Sequence, residues 1–360
     1  MIYYSFLDKD KDKDKDKDKD KDKDKDKDKM FFTIFEFVLY LKFEFNTLQL
    51  LSLTSKDVKD EIDKMHVPVR FIFNKVIKKM VFDIPLAIIR RFKITSLDFA
   101  TSNISEEYFM KLLQLIPLCD ALTNINLRNT RIGSKRAKKL AVVLGQCKLL
   151  TKLDLKNNNI GPEGIESLAV VLGECNALTH LDLSENELGD TGIKCLAQVL
   201  EQQQLGQHGS LTILKLAGNQ ISHTGIDSLV PVLKKCGSLY YIDLSSNNIG
   251  PLGAEKLATV LPHCGFLSHL DLSYNNIGPL GVEKLAIVIP QCGSLTLIDL
   301  SANRIGPIGA GELAAVLPHC KVLTHLFLEC NYVGYTGTKS LERAKTQCSS
   351  LRYLFYKDYQ

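Results

Sequence analysis

Six aspartates recur along the chain in nearly the same short context, Asp98, Asp154, Asp182, Asp243, Asp271 and Asp299, most of them between two leucines or an isoleucine and a leucine. Two residues before this position stand Lys152, His180, Tyr241, His269, His325 and Tyr353. Carboxylates beside imidazole and phenol groups can hold a basic protein segment through charge pairs and apolar anchors. Towards the end of the chain the aspartate gives way to Phe327 and then Phe355, a hydrophobic anchor or the irregular last unit of a series. The partner-binding candidates are therefore Asp154, Asp182, Asp243, Asp271, Asp299, His180, Tyr241, His269, His325 and Phe327. The same aspartates could equally do no more than solvate an exposed strand.

Other reactive side chains point away from catalysis. Cys119, Cys147, Cys175, Cys236, Cys264, Cys292, Cys320 and Cys348 recur at one place, with His263 and His319 beside two of them. Residues of one register in a stacked array form a column, whereas zinc needs four convergent ligands, so the spacing predicts a ladder of small buried thiols. Cys195 and Cys330 lie off this register. The sequence has no GxxxxGK[ST] phosphate loop and no HExxH, GxSxG or paired CxxC. Neither an enzyme nor a bound cofactor or metal is expected.

What positions these residues is a repeat. Aligned on a recurrent apolar residue, units start at Ile94, Leu122, Leu150, Leu178, Leu211, Leu239, Leu267, Leu295, Leu323 and Leu351, in steps of 28 residues with one step of 33. In the unit LTKLDLKNNNIGPEGIESLAVVLGECNA, the alternation at Leu153-Asp154-Leu155 reads as a short strand with Asp154 facing away from the core. Asn158 ends that strand, and asparagine returns at Asn186, Asn219, Asn247, Asn275, Asn303 and Asn331. An amide both donates and accepts, so a stacked asparagine column can satisfy buried turns. Pro162, Pro251, Pro279 and Pro307 mark helix starts, where a missing N–H costs nothing. Ile165, Leu168, Ala169 and Leu172 then give one apolar helical stripe. A strand followed by a crossover helix forces all strands parallel. Strands about 4.8 Å apart against helices needing about 8–10 Å should bend the array, with the strands inside.

The run LTKLDLKNNNIGPEGIESLAVVL resembles the leucine-rich repeat of the ribonuclease-inhibitor type, shared with the recognition tails of NOD-like receptors and with Ran GTPase-activating proteins. The resemblance spans residues 94–360. It implies an α/β leucine-rich-repeat solenoid, a curved horseshoe with a parallel inner sheet and outer helices. It also implies a non-enzymatic scaffold that binds a protein on the concave face. Two alternatives stand beside that reading. One is a GTPase activator like the Ran regulators, although the long acidic segment that follows their repeats has no counterpart here. The other is a substrate adaptor docking through residues 30–93.

Charge narrows the partner. Residues 94–360 carry 23 Lys or Arg against 23 Asp or Glu, and residues 8–29 alternate Asp and Lys, 11 of each. The net excess lies in residues 30–93, so no basic face for nucleic acid is expected on the array. Residues 1–29 read as a disordered low-complexity tail. Within residues 30–93, a flanking or capping region, Phe35, Phe37, Leu39, Leu41, Phe43 and Phe45 alternate like a strand. Val69, Ile72, Phe73, Val76, Ile77 and Met80 fit a basic amphipathic helix that covers the end of the array. Membrane contact by residues 68–82 is the less favoured use of that helix. The longer unit places an insertion at residues 201–210, on one rim. No signal peptide and a repeat-spaced cysteine set suggest a reducing cytoplasm and a monomer.

Overall fold

The computed structural model describes residues 69–72, 94–101, 104–204, 211–235 and 237–357, all inside a compact unit running from Met65 to Gln360. Among the described residues eleven parallel strands form one sheet in chain order: β1 (Val69–Ile72), β2 (Ile94–Asp98), β3 (Asn124–Asn126), β4 (Lys152–Asp154), β5 (His180–Asp182), β6 (Ile213–Lys215), β7 (Tyr241–Asp243), β8 (His269–Asp271), β9 (Leu297–Asp299), β10 (His325–Phe327) and β11 (Tyr353–Phe355). From β2 to β10 each is followed by a helix that returns the chain. Among the described residues these are α1 (Glu106–Leu115), α2 (Gly133–Leu144), α3 (Gly161–Leu172), α4 (Gly189–Gln204), α5 (His223–Lys235), α6 (Gly250–Val260), α7 (Gly278–Val288), α8 (Gly306–Val316) and α9 (Gly334–Gln347). This is the α/β leucine-rich-repeat solenoid that the resemblance implies.

The central residue of each short strand points into the core: Leu153, Leu181, Leu214, Ile242, Leu270, Ile298 and Leu326 are all buried. Helices turn their stripes to the same core, as Ile165, Leu168, Ala169 and Leu172 do in α3. A left-handed residue redirects the chain into most of the helices; at the start of α7 it is Gly278, with φ +66°. One turn later the neighbouring unit comes close. A Cβ on Gly281 would meet Ile277 Cγ2 at 2.6 Å and the Pro251 Cα at 3.0 Å, so the stacking distance itself demands glycine. Helices α6, α7 and α8 stop at Pro262, Pro290 and Pro318, each inside a short 3-10 turn.

Two columns of polar side chains tie successive units together, and a third closes the helices within them. The asparagines are fully or almost fully buried, and each spans two repeats. Asn303 Oδ1 accepts from the backbone N–H of Asn275 at 3.0 Å and of Ile277 at 3.2 Å, while its Nδ2 donates to the carbonyls of Leu272, Leu300 and Ser301. On the strands' leading side, Thr151 donates its hydroxyl to the Thr123 carbonyl, Thr179 to that of Thr151, and Thr212 to that of Thr179. The thiols form the third column. Cys119, Cys147, Cys292 and Cys320 direct S–H at the carbonyl four residues earlier, closing the end of the preceding helix. Burial pushes the Cys119, Cys147 and Cys292 thiols up to about 12, and those of Cys264 and Cys320 to about 11.

One expectation fails. Residues 69–72 do not open a helix; they form β1, paired parallel with β2 through Arg70–Ser96, Phe71–Leu97 and Ile72–Asp98. The edge of β2 would otherwise present unpaired backbone groups, and the β-prone run Val-Arg-Phe-Ile fills it. A short apolar run fits helical and extended patterns alike, so periodicity alone could not decide. The Lys-Asp tract, the alternating segment near residues 35–45, the rest of residues 68–82 and residues 205–210 of the insertion lie outside the described residues.

Asn303→Ala strips five hydrogen bonds from the interior at once. It should lower stability by about 3 kcal/mol in urea unfolding, with amide exchange accelerating at Asn275 and Ile277. A loss below about 1 kcal/mol would show that the column is dispensable.

Candidate functional site

Because the strands run in strict register, their first and third residues form two parallel columns on the face away from the helices. The first column reads Asn124, Lys152, His180, Ile213, Tyr241, His269, Leu297, His325 and Tyr353 from β3 to β11. Its neighbour reads Asp98, Asn126, Asp154, Asp182, Lys215, Asp243, Asp271, Asp299, Phe327 and Phe355 from β2 to β11. All ten residues nominated from the sequence fall in these columns, so the structure brings them onto one face. Three neighbours escaped that reading: Lys215, Ile213 and Leu297. They were visible once Leu211 and Leu295 were taken as unit starts, but a search for recurring aspartates passes over a lysine.

The aspartates have a structural task as well. Each accepts through Oδ1 the backbone N–H two residues on, closing the turn where the strand ends: Lys156 on Asp154, Ser184 on Asp182, Ser245 on Asp243, Ser273 on Asp271 and Ser301 on Asp299, at 2.8–3.0 Å. The Ser245 and Ser273 hydroxyls add a second bond to the same oxygen, both at 2.7 Å. Short side chains that bond two residues ahead favour turns over continued strand, which explains why this position is aspartate in so many units. Oδ2 is left over for other work.

Electrostatically the face has two halves. Across β2 to β6 the charges mix. Asp98, Asp154 and Asp182 share with Lys152, Lys215 and His180 a concavity of about 390 Å³ floored by Ile125, Leu153 and Leu181. Burial raises the Asp154 carboxyl, and burial together with the nearby Lys152 and Lys215 holds His180 below its usual value. Lys215 also sits over the Tyr241 ring at 5.6 Å.

From β7 to β9 three carboxylates follow one another without an intervening cation. Burial, with Asp299 and Asp243 on either side, pushes the central Asp271 up to about 6 despite its bonds from Ser273. Burial and the surrounding carboxylates raise the Tyr241 hydroxyl to about 12. His180 and His325 each pair Nδ1 with the preceding threonine hydroxyl, at 2.7 and 2.8 Å. At His269 the preceding residue is Ser268, whose hydroxyl is 2.7 Å from that of Thr296 instead, and His269 Nδ1 stays shielded without a partner among the described residues.

Beyond β9 the face turns aromatic. His325 stacks on Tyr353 with centroids 4.6 Å apart, and Phe327 on Phe355 at 5.0 Å with planes 3° apart. Tyr353 and Phe355 are 50% and 41% exposed, large apolar groups left open to solvent.

Comparison with known proteins bears on the scaffold. The family described as "Leucine Rich repeat" matches residues 146–169, 174–197, 209–230, 235–258 and 263–286. No curated protein matches the chain. Among solved structures, the leucine-rich repeat-containing protein LegL7 from Legionella pneumophila is similar at 20% identity and a TM-score of 0.49, over 81% of this chain and 91% of that one. The ectodomain of the Arabidopsis receptor kinase HAESA, solved with an IDA peptide hormone, is similar at 18% identity and a TM-score of 0.34, over 57% of this chain. The chain spans 30% of that structure's length.

Asp271→Asn keeps the turn acceptor and removes the charge. Because the folded carboxyl titrates near 6 and the unfolded one near 3.8, the native state holds its proton more tightly, and ionised Asp271 costs stability above pH 6. The variant should be more stable than the parent by roughly 1–2 kcal/mol at pH 7.5, with the advantage shrinking as pH falls from 6 towards 4, read from thermal melts across that range. Equal stability at pH 7.5 would contradict the burial of this charge.

Proposed function

From a leucine-rich-repeat array with this face, we propose a non-enzymatic scaffold that holds a protein partner against the open side of its sheet. One observation carries the reading. The inward strand position is Leu or Ile in every unit, whereas the outward positions change from unit to unit and hold charge, imidazole and exposed aromatic rings together. A face needed only for solvation has no use for Phe355 or Tyr353. Aromatic anchors beside charges suit protein recognition, and the carboxylate-rich centre favours a partner with a basic segment. Among the described residues no helix is long and apolar enough to cross a membrane. The free thiols of the cysteine column, engaged with helix carbonyls, fit the reducing cytoplasm as the place of work.

A photo-crosslinking amino acid at position 180, 241 or 325 should give protein adducts in cells, while the same group at the helix positions Val142, Val170 or Ile287, all well exposed, should give few. Adducts confined to the helix positions would reject the sheet face as the binding surface.

A further inference from the structure

The two outward columns enclose a trough that runs across the strands, because the residue between them on every strand points into the core. In the second half of the array this trough changes character within a few strands. Asp243, Asp271 and Asp299 occupy adjacent strands, and none of them has an ion-pair partner among the described residues; the next cation along the row is Lys215 on β6. Phe327 and Phe355 continue the same row directly after Asp299. Unpaired, half-buried carboxylates are under electrostatic demand for a cation, and an open aromatic pair is under solvation demand for an apolar cover.

Resting on the sheet-face reading above, we propose that the β7–β11 half of the trough takes a segment of the partner in the polyproline II conformation, carrying a Lys or Arg three residues from an aromatic or leucine side chain, the cation over Asp271 and the apolar group over Phe327. The spacing follows from the ladder. Asp271 and Phe327 are two strands apart, roughly 9–10 Å at ordinary strand separation, which a polyproline II segment covers in three residues at about 3.1 Å each, with residues i and i+3 on the same face. Charge complementarity selects the occupant. A segment with acidic residues would meet three like charges, and a wholly apolar one would bury the carboxylates without compensation. Lys215 bounds the acidic stretch on its other side, so the cationic residue is directed to β7–β9 and not further along the row.

The test uses the full chain and a random twelve-residue display library. Enriched peptides should carry a basic residue three positions from an aromatic or leucine. Their affinity, by fluorescence anisotropy, should fall at least about tenfold in the combined Asp243→Asn, Asp271→Asn, Asp299→Asn protein, which keeps every Oδ1 turn acceptor, and the salt dependence should flatten. Phe327→Ser should weaken the same peptides, while Glu163→Gln with Glu166→Gln on α3 should not. Circular dichroism confirms folding of each variant. No enrichment, enriched peptides without a basic residue, or affinity within twofold in the triple variant overturns the proposal. Photo-crosslinks from position 180, 241 or 325 to the selected peptides separate the cases. If they persist while the triple variant binds normally, only this assignment falls; if crosslinks arise solely from helix positions, the sheet-face reading falls with it.

Discussion

Every unit must bring the backbone back to the same hydrogen-bonding position one strand further on, and the buried asparagine column is what makes that return tolerable. Three-residue strands cannot satisfy the carbonyls and amides of the turns that follow them. Each asparagine lends one oxygen to the unit before it and spreads its two amide hydrogens over carbonyls of both units, as Asn158 does with Leu127, Leu155 and Lys156. With the turns settled, the helix can start at a left-handed residue and pack as closely as Gly281 allows. Strand register, and with it the alignment of the outward columns, follows from this repeated closure.

The face we propose for binding is a by-product of that closure, and its aspartates belong to both. A carboxylate whose Oδ1 ends the strand is held in place by the turn it stabilises, so its Oδ2 is presented without the rotamer freedom of an ordinary surface side chain. Partial burial raises its electrostatic stake further. Such preorganisation distinguishes the acidic stretch of β7–β9 from the exposed helix charges, for example Lys148 with Glu174, where both partners are solvated and little energy is at issue.

Much of this was legible in the residues. Leucine, asparagine, proline and cysteine recur because each answers a local demand, for burial, turn closure, helix start or helix end, that is the same in every unit. The failures share a cause too. Val69–Ile72 does not pair at the 28-residue repeat spacing, and the partner that makes it a strand, the edge of β2, lies 25 residues from Val69 and 26 from Phe71 in the chain. Lys215 was passed over because it breaks a pattern instead of repeating it. The turn-capping role of the aspartates could have been read from the serine two residues later in LDLS, but the alternation around Asp154 drew attention to its face and not to its neighbour. Pairings such as Thr324 with His325 depend on rotamers that sequence does not encode locally.

The cysteine column has a practical corollary. A sulfhydryl that titrates near 12 is almost wholly protonated at neutral pH and makes a poor nucleophile, so while the units stay stacked these groups should resist alkylation and oxidation. Opening a unit that holds one would uncover its own sulfur. The array therefore carries a set of internal reporters, one in every full unit except that beginning at Leu178, whose labelling rates would record where along its length the stack breathes first.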